Sequence, residues 1–111
     1  MTTKHSFRLV WTRTAEADLE GIVDFIADDS VDAAVAVFDR IRERAATLNN
    51  FPDKGRVVPE LHQHGIVQYR ELILSPWRII YRVDGSTVYV TAVFDSRRNL
   101  EDLLLERLTR V

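Results

Sequence analysis

The sequence predicts an α+β domain in the order βααβββα: an N-terminal strand and a helical hairpin packed on an antiparallel β-meander, closed by a C-terminal helix. Three observations carry this. Apolar residues recur at helical spacing through residues 15–48, dominate strand-like runs between residues 68 and 95, and return to helical spacing after Asn99. Grouped helices and grouped strands, rather than strict alternation, belong to α+β architectures. With 111 residues the chain fits one domain, taken as 1–111, and is long enough to bury one core.

The first strand is "FRLVW", residues 7–11, where Phe7, Leu9 and Trp11 alternate with Arg8 and Val10. Thr12 or Thr14 caps the helix that follows. From Ala15 its apolar stripe runs through Leu19, Ile22 and Ile26, with Glu16, Asp18, Glu20 and Asp24 placed outside. Asp28-Asp29-Ser30 breaks it, and Ser30 is a good N-cap for a second helix. The second stripe comprises Val31, Ala34, Val35, Phe38, Ile41, Ala45 and Leu48 and stops at Asn49-Asn50. So tight a join predicts an antiparallel helical hairpin.

Residues 51–65, "FPDKGRVVPELHQHG", hold two prolines and two glycines and predict a loop with at most short pieces of structure. Strands are expected at 68–75, 77–83 and 87–95, with Ser75-Pro76 and Asp84-Gly85-Ser86 as turns. Asn99 caps a last helix bearing Leu100, Leu103, Leu104 and Leu108, with Asp102 at its third position.

Composition bounds the function. Apolar residues at 46% and charged residues at 29% match an ordinary globular protein. The absence of cysteine excludes disulfides, thiolate metal sites and a cysteine nucleophile, and fits the reducing cytoplasm, the location expected here. "MTTKHSFRLVW" lacks the apolar stretch of a signal peptide, and no run has the length of a membrane span. A net charge of −2 argues against sequence-independent nucleic-acid binding by the whole surface. The charge is uneven, however. Residues 1–53 hold 6 Lys/Arg against 10 Asp/Glu, and residues 54–111 hold 9 against 7.

The cationic half carries the candidate chemistry. Arg56 lies in the loop, Arg70, Arg78 and Arg82 in the hairpin "YRELILSPWRIIYRV", and Arg97-Arg98 after the last strand. Arginine suits phosphate and carboxylate because its planar fork donates two parallel hydrogen bonds and stays charged. Arg78 and Arg82 share one strand face, with Ile80 between them. One account pairs these arginines internally with Glu71, Asp84 and Asp95; the other, favoured for the set as a whole, offers them to an anionic partner. Trp77 and Tyr81 belong to the same candidate surface. The aromatic set of Trp11, Tyr69, Trp77, Tyr81, Tyr89 and Phe94 could stack bases, although strands use aromatics chiefly for packing. Large side chains on both faces of strand 77–83 suggest cover on both sides, by the chain's own helices on one and a partner on the other.

His62 and His64 form an H-x-H pair that would need His5 or a scattered carboxylate to complete a metal site, so no metal or cofactor is expected. Either histidine could act as a general base. No glycine-rich phosphate loop and no nucleophile elbow is present, and Ser75 before Pro76 is a turn residue.

The helical hairpin beginning "WTRTAEADLEGIVDFIA", the "P…GR…PEL" loop and "YRELILSPWRIIYRVDGSTVYVTAVFDSRRNLEDLL" together resemble the RelE/ParE superfamily of type II toxin–antitoxin toxins, from Phe7 to Leu105. The resemblance implies a small toxin bound and silenced by a co-encoded antitoxin in a hetero-oligomer. RelE-like members cut ribosome-bound mRNA with basic residues on the sheet and a late Tyr or His; ParE-like members usually lack that late residue and poison DNA gyrase. By position Arg70, Arg78 and Arg97 or Arg98 correspond to the basic sheet surface. After "SRR" this chain reads "NLEDLLLERLTRV", with no Tyr or His, which favours ParE. The ribonuclease alternative would use Arg70, Arg78, Arg98 and His64, and a third possibility is a non-toxic member that only pairs with a partner.

Overall fold

The computed structural model describes residues 6–109, apart from the side chains of Leu104, Glu106, Leu108 and Thr109. His5, and the Leu104 and Leu108 positions of the expected C-terminal stripe, therefore lie outside the described residues. In chain order the elements are β1 (Arg8–Trp11), α1 (Arg13–Ala27), α2 (Val31–Ala46), a 3-10 turn (Thr47–Asn49), β2 (Arg56–Val57), α3 (Pro59–His62), β3 (Tyr69–Leu74), β4 (Trp77–Asp84), β5 (Thr87–Asp95) and α4 (Leu100–Thr109). The α+β class and the order of the main elements agree with expectation. The 51–65 loop holds short pieces, β2 and α3.

The five strands form one sheet in the order β1-β5-β4-β3-β2. Strands β2 to β5 pair antiparallel, whereas β1 joins β5 in parallel, Arg8 opposite Thr87 and Trp11 opposite Val90. A parallel partner cannot be reached by a tight turn, and the α1–α2 hairpin supplies much of the crossover. Both helices start on side-chain caps. Thr12 Oγ1 accepts the Ala15 N–H at 3.2 Å, and Ser30 Oγ accepts the Ala33 N–H at 3.1 Å.

The α2 stripe is a correction. Val31, Val35 and Phe38 are exposed, Ala34 is buried, and α2 joins the sheet's core through Val37, Ile41 and Ala45. The buried side of the helix is Ala34, Ile41 and Ala45, which turns the larger residues outward. On this side Leu19, Ile41 and Leu48, each 2% exposed or less, pack with Leu72, Ile79, Tyr81, Val88, Val90 and Val93. Burying a side chain of that size contributes about 1.5–3 kcal/mol.

A second core occupies the opposite face, where α3 and α4 cover Ile80, Ala92 and Phe94 with Val58, Leu61 and Leu100. The expectation that a partner covers this face is thus corrected at this end of the sheet: the chain's own helices do so. A bulge in β5 makes both cores possible. Ile80 faces Ala92 and Tyr81 faces Val90, leaving Thr91 as the extra residue, its hydroxyl donating to the Ile80 carbonyl at 3.2 Å. The one-residue slip sends Val88, Val90 and Val93 to the first core and Ala92 and Phe94 to the second.

Candidate functional site

The hairpin arginines divide between the faces of the sheet. Arg78 and Arg82 do share a face, but their environments differ. Arg78 is buried, and all three guanidinium nitrogens are engaged: Nε donates to Glu71 Oε1 at 2.6 Å, and the two terminal nitrogens donate to both oxygens of Glu60 at 2.7 Å. Glu71 Oε2 also accepts from Arg56 Nε at 2.7 Å. Arg56, Glu71, Arg78 and Glu60 therefore form a neutral four-membered chain between β2, β3, β4 and α3. The Glu71 side chain is 0% exposed and the Arg78 side chain 8%. Hydrogen bonds from Arg78 hold the Glu60 carboxyl below its ordinary range, and those carboxylates push the Arg78 guanidinium further up.

Arg78 is consequently a structural charge, and its place on a partner surface is corrected. A guanidinium already bonded to two carboxylates and shielded from water has no free fork for phosphate. Tyr81 is corrected too. It is 0% exposed, and its hydroxyl donates to the Pro52 carbonyl at 2.7 Å while accepting the Gly55 N–H at 2.9 Å. Burial pushes the phenol upward. Arg70 serves the same loop by donating to the Gly55 carbonyl at 2.8 Å. Glycine is required there. A Cβ at residue 55 would collide with the Glu71 carbonyl and sit 2.7 Å from the Tyr81 hydroxyl.

The remaining candidates are more accessible. Arg82 lies over the Tyr89 ring at 4.5 Å and pairs loosely with Asp84 at 3.7 Å. The internal pairings with Glu71, Asp84 and Asp95 are thus all present. Arg97 is closed onto Asp95 through its backbone N–H, Nε and a terminal nitrogen, which hold the Asp95 carboxyl down at about 2. Arg98 is exposed, with no ion-pair partner among the described residues. His64 Nε2 meets Glu101 Oε2 of α4 at 2.8 Å. The four groups of the ribonuclease alternative are dispersed: Arg78 is sealed, Arg70 lies on β3 while Arg98 follows β5 on the far side of β4, and His64 is tied to α4. Among the described residues no three His, Asp or Glu are placed to hold a metal ion, and no helix is long and apolar enough to cross a membrane.

A groove of about 550 Å³ runs between α1 and the end of β5. Ile22, Phe25 and Ile26 form one wall, Trp77, Val93 and Phe94 the floor, and Asp18, Asp95, Arg97 and Arg98 the polar rim. Phe25 is 79% exposed at its lip. Three of the sequence candidates, Trp77, Arg97 and Arg98, thus come together here. Sequence reasoning missed Phe25, Asp18 and Glu60. A signal existed for Asp18, which falls between Ala15 and Ile22 on the buried stripe rather than outside it. No spacing rule links Glu60 to Arg78.

Similarity to other proteins agrees with this architecture. The family model described as the ParE toxin of type II toxin-antitoxin system, parDE, matches residues 9–100. Toxin ParE3 of Caulobacter vibrioides (strain ATCC 19089 / CIP 103742 / CB 15) is 31% identical over 94 residues, covering 84% of this chain and 90% of the relative. Toxin RelE2 of the same organism is 30% identical over 92 residues, covering 82% and 97%. Among solved structures, the chromosomal ParDE TA system from P. aeruginosa aligns with a TM-score of 0.66 at 26% identity, covering 82% of this chain and 97% of that one. The toxin-antitoxin complex RelBE2 from Mycobacterium tuberculosis shares the fold, with a TM-score of 0.61 at 18% identity and coverage of 81% and 98%. The chain belongs to the ParE toxin family and is a type II toxin–antitoxin toxin of the RelE/ParE superfamily.

Proposed function

We propose that this toxin inhibits DNA gyrase when free and is neutralised by a cognate antitoxin, in the cytoplasm where gyrase acts. The observation that carries the reading is the sealing of Arg78 by Glu60 and Glu71. Cutting RNA requires a base to activate the 2′-hydroxyl, a cation to stabilise the phosphorane and an acid to protonate the leaving oxygen. Arg78, one of the arginines that match the family's basic sheet surface by position, is occupied, and the stretch after Arg98 offers neither Tyr nor His as the acid. Gyrase inhibition asks for a complementary surface instead, and Arg98 with Arg56 and Arg82 can contribute to it.

The antitoxin seats in the groove between α1 and β5, where Phe25 and Trp77 offer apolar contact and Arg98 an unpaired cation for an acidic segment. The structural relative at 26% identity, a chromosomal ParDE TA system, supports such a partner. The test is expression of the chain without its antitoxin, followed by a DNA-damage reporter and primer extension on cellular message. The expected result is damage induction with intact mRNA. Codon-specific cuts would favour the ribonuclease alternative, and unimpaired growth would favour a non-toxic pairing module.

A further inference from the structure

We propose that Asp18 plugs the open edge of β5 and that α4, acting through Arg107, governs whether that edge accepts an extended strand from a partner; this rests on the groove between α1 and β5 being the antitoxin's seat. β1 ends at Trp11 opposite Val90, so the last residues of β5 have a strand neighbour only on the β4 side. The Ser96 N–H donates to the Pro76 carbonyl at 2.7 Å, which fixes the phase of the ladder. Phe94 therefore directs its backbone groups toward β4, and Val93 and Asp95 direct theirs toward the open edge.

A bare edge of this kind invites strand addition. Here one carboxylate oxygen occupies it. Asp18 Oδ2 accepts the Val93 N–H at 3.1 Å and also a hydrogen bond from Arg107 Nη1 at 2.7 Å. The Asp18 side chain is 11% exposed, so these donors stand in for the water it has lost. Arg107 is itself steadied by the Phe94 ring, 4.6 Å from the guanidinium carbon, and α4 by Leu100 in the second core. One atom thus joins α1, the β5 edge and α4.

An added strand needs the Val93 N–H for its own carbonyl, so Asp18 must leave and release Arg107. The freed guanidinium then joins unpaired Arg98 beside the groove, and both suit carboxylates on the incoming segment. The occupant is accordingly an extended peptide that alternates apolar residues, for the Phe25, Ile22 and Trp77 surface, with acidic ones. Coupling is reciprocal: α4 docked on Asp18 disfavours strand addition, and strand addition loosens α4.

Hydrogen exchange on the full chain tests the plug without any partner. Arg107→Ala should speed exchange of the Val93 amide about fivefold or more, and an unchanged rate would overturn the proposal. A second arm uses the antitoxin encoded beside the toxin gene. Binding should lower protection across α4, and Asp18→Ala should tighten the complex about fivefold or more, because the edge is already open. Binding that leaves α4 fully protected, with equal or weaker affinity for Asp18→Ala, would overturn the coupling while preserving the antitoxin's seat. Failure of that protein to bind wild-type chain would instead refute the antitoxin reading, and the Val93 exchange rate would still decide the plug. If Asp18→Ala fails to fold, the Arg107→Ala rate and α4 protection on binding carry the test.

Discussion

Arg78 and Glu60, 18 residues apart in sequence, meet in two parallel hydrogen bonds of 2.7 Å that fasten α3 to β4. With Glu71 completing the site, the most conspicuous cation of the hairpin becomes part of the frame rather than part of the surface. The chain keeps the arginine and changes what it can do.

Removing that cation should be expensive. Arg78→Ala leaves the fully buried Glu71 carboxylate with Arg56 alone, and breaking a buried pair in this way costs about 3–5 kcal/mol. Arg82→Ala, a partly exposed pair, should cost about 0–1 kcal/mol. Replacing Arg78 and Glu71 together by methionine should recover part of the loss, since the fully buried carboxylate leaves with its partner and only Glu60, 27% exposed, loses its hydrogen bonds. Urea denaturation midpoints of the three variants check the ranking.

The same network sets a pH dependence. The folded-state pKa of Glu60 is depressed below its ordinary 4.5 by the hydrogen bonds from Arg78, so protons bind the unfolded chain first as pH falls. Its stabilisation is complete above the unfolded value and is lost as pH drops through the folded one. The gap in urea midpoint between wild type and Glu60→Gln should be constant from about pH 7 to pH 5 and close below that. A gap that persists undiminished at about pH 3 would contradict the assignment.

Tyr81 anchors the 51–55 loop from the first core. Tyr81→Phe strands the Gly55 N–H and the Pro52 carbonyl, and should cost about 1–3 kcal/mol with little change in shape. Gly55→Ala should cost more, because its Cβ meets backbone that cannot yield. Thermal unfolding of both variants separates the two effects.

Local chemistry made much of the fold legible. Ser30 caps α2 as its position suggests, and the strands expected at 68–75, 77–83 and 87–95 appear as Tyr69–Leu74, Trp77–Asp84 and Thr87–Asp95. Thr12 rather than Thr14 caps α1. What escaped depends on tertiary choices. "TVYVTAVFD" is apolar on both faces, so nothing local marks Thr91 as a bulge. The rotation of α2 turns Ala34, Ile41 and Ala45 inward, which a hydrophobic stripe drawn through Val35 and Phe38 misses. The surface arginines were legible as a set, but which of them is spent internally was decided by Glu60 and Glu71, whose contacts span 18 and 7 residues.

The groove makes its own prediction. Phe25→Asp places a carboxylate at the exposed apolar lip and opposes an acidic segment, while touching nothing in either core. It should weaken the antitoxin complex by about tenfold or more, the equivalent of about 1.4 kcal/mol, and leave the unfolding midpoint within about 0.5 kcal/mol of wild type. Titration calorimetry against the antitoxin, beside a denaturation curve, provides both numbers.

The central claim is the choice of gyrase over message, and a supercoiling assay with purified gyrase and relaxed plasmid tests it most directly. Antitoxin-free chain should block supercoiling in proportion to its concentration, Arg98→Glu should weaken the block, and added antitoxin should relieve it. Uninhibited supercoiling at every concentration, with programmed ribosomes cut at defined codons by the same preparation, would contradict the account.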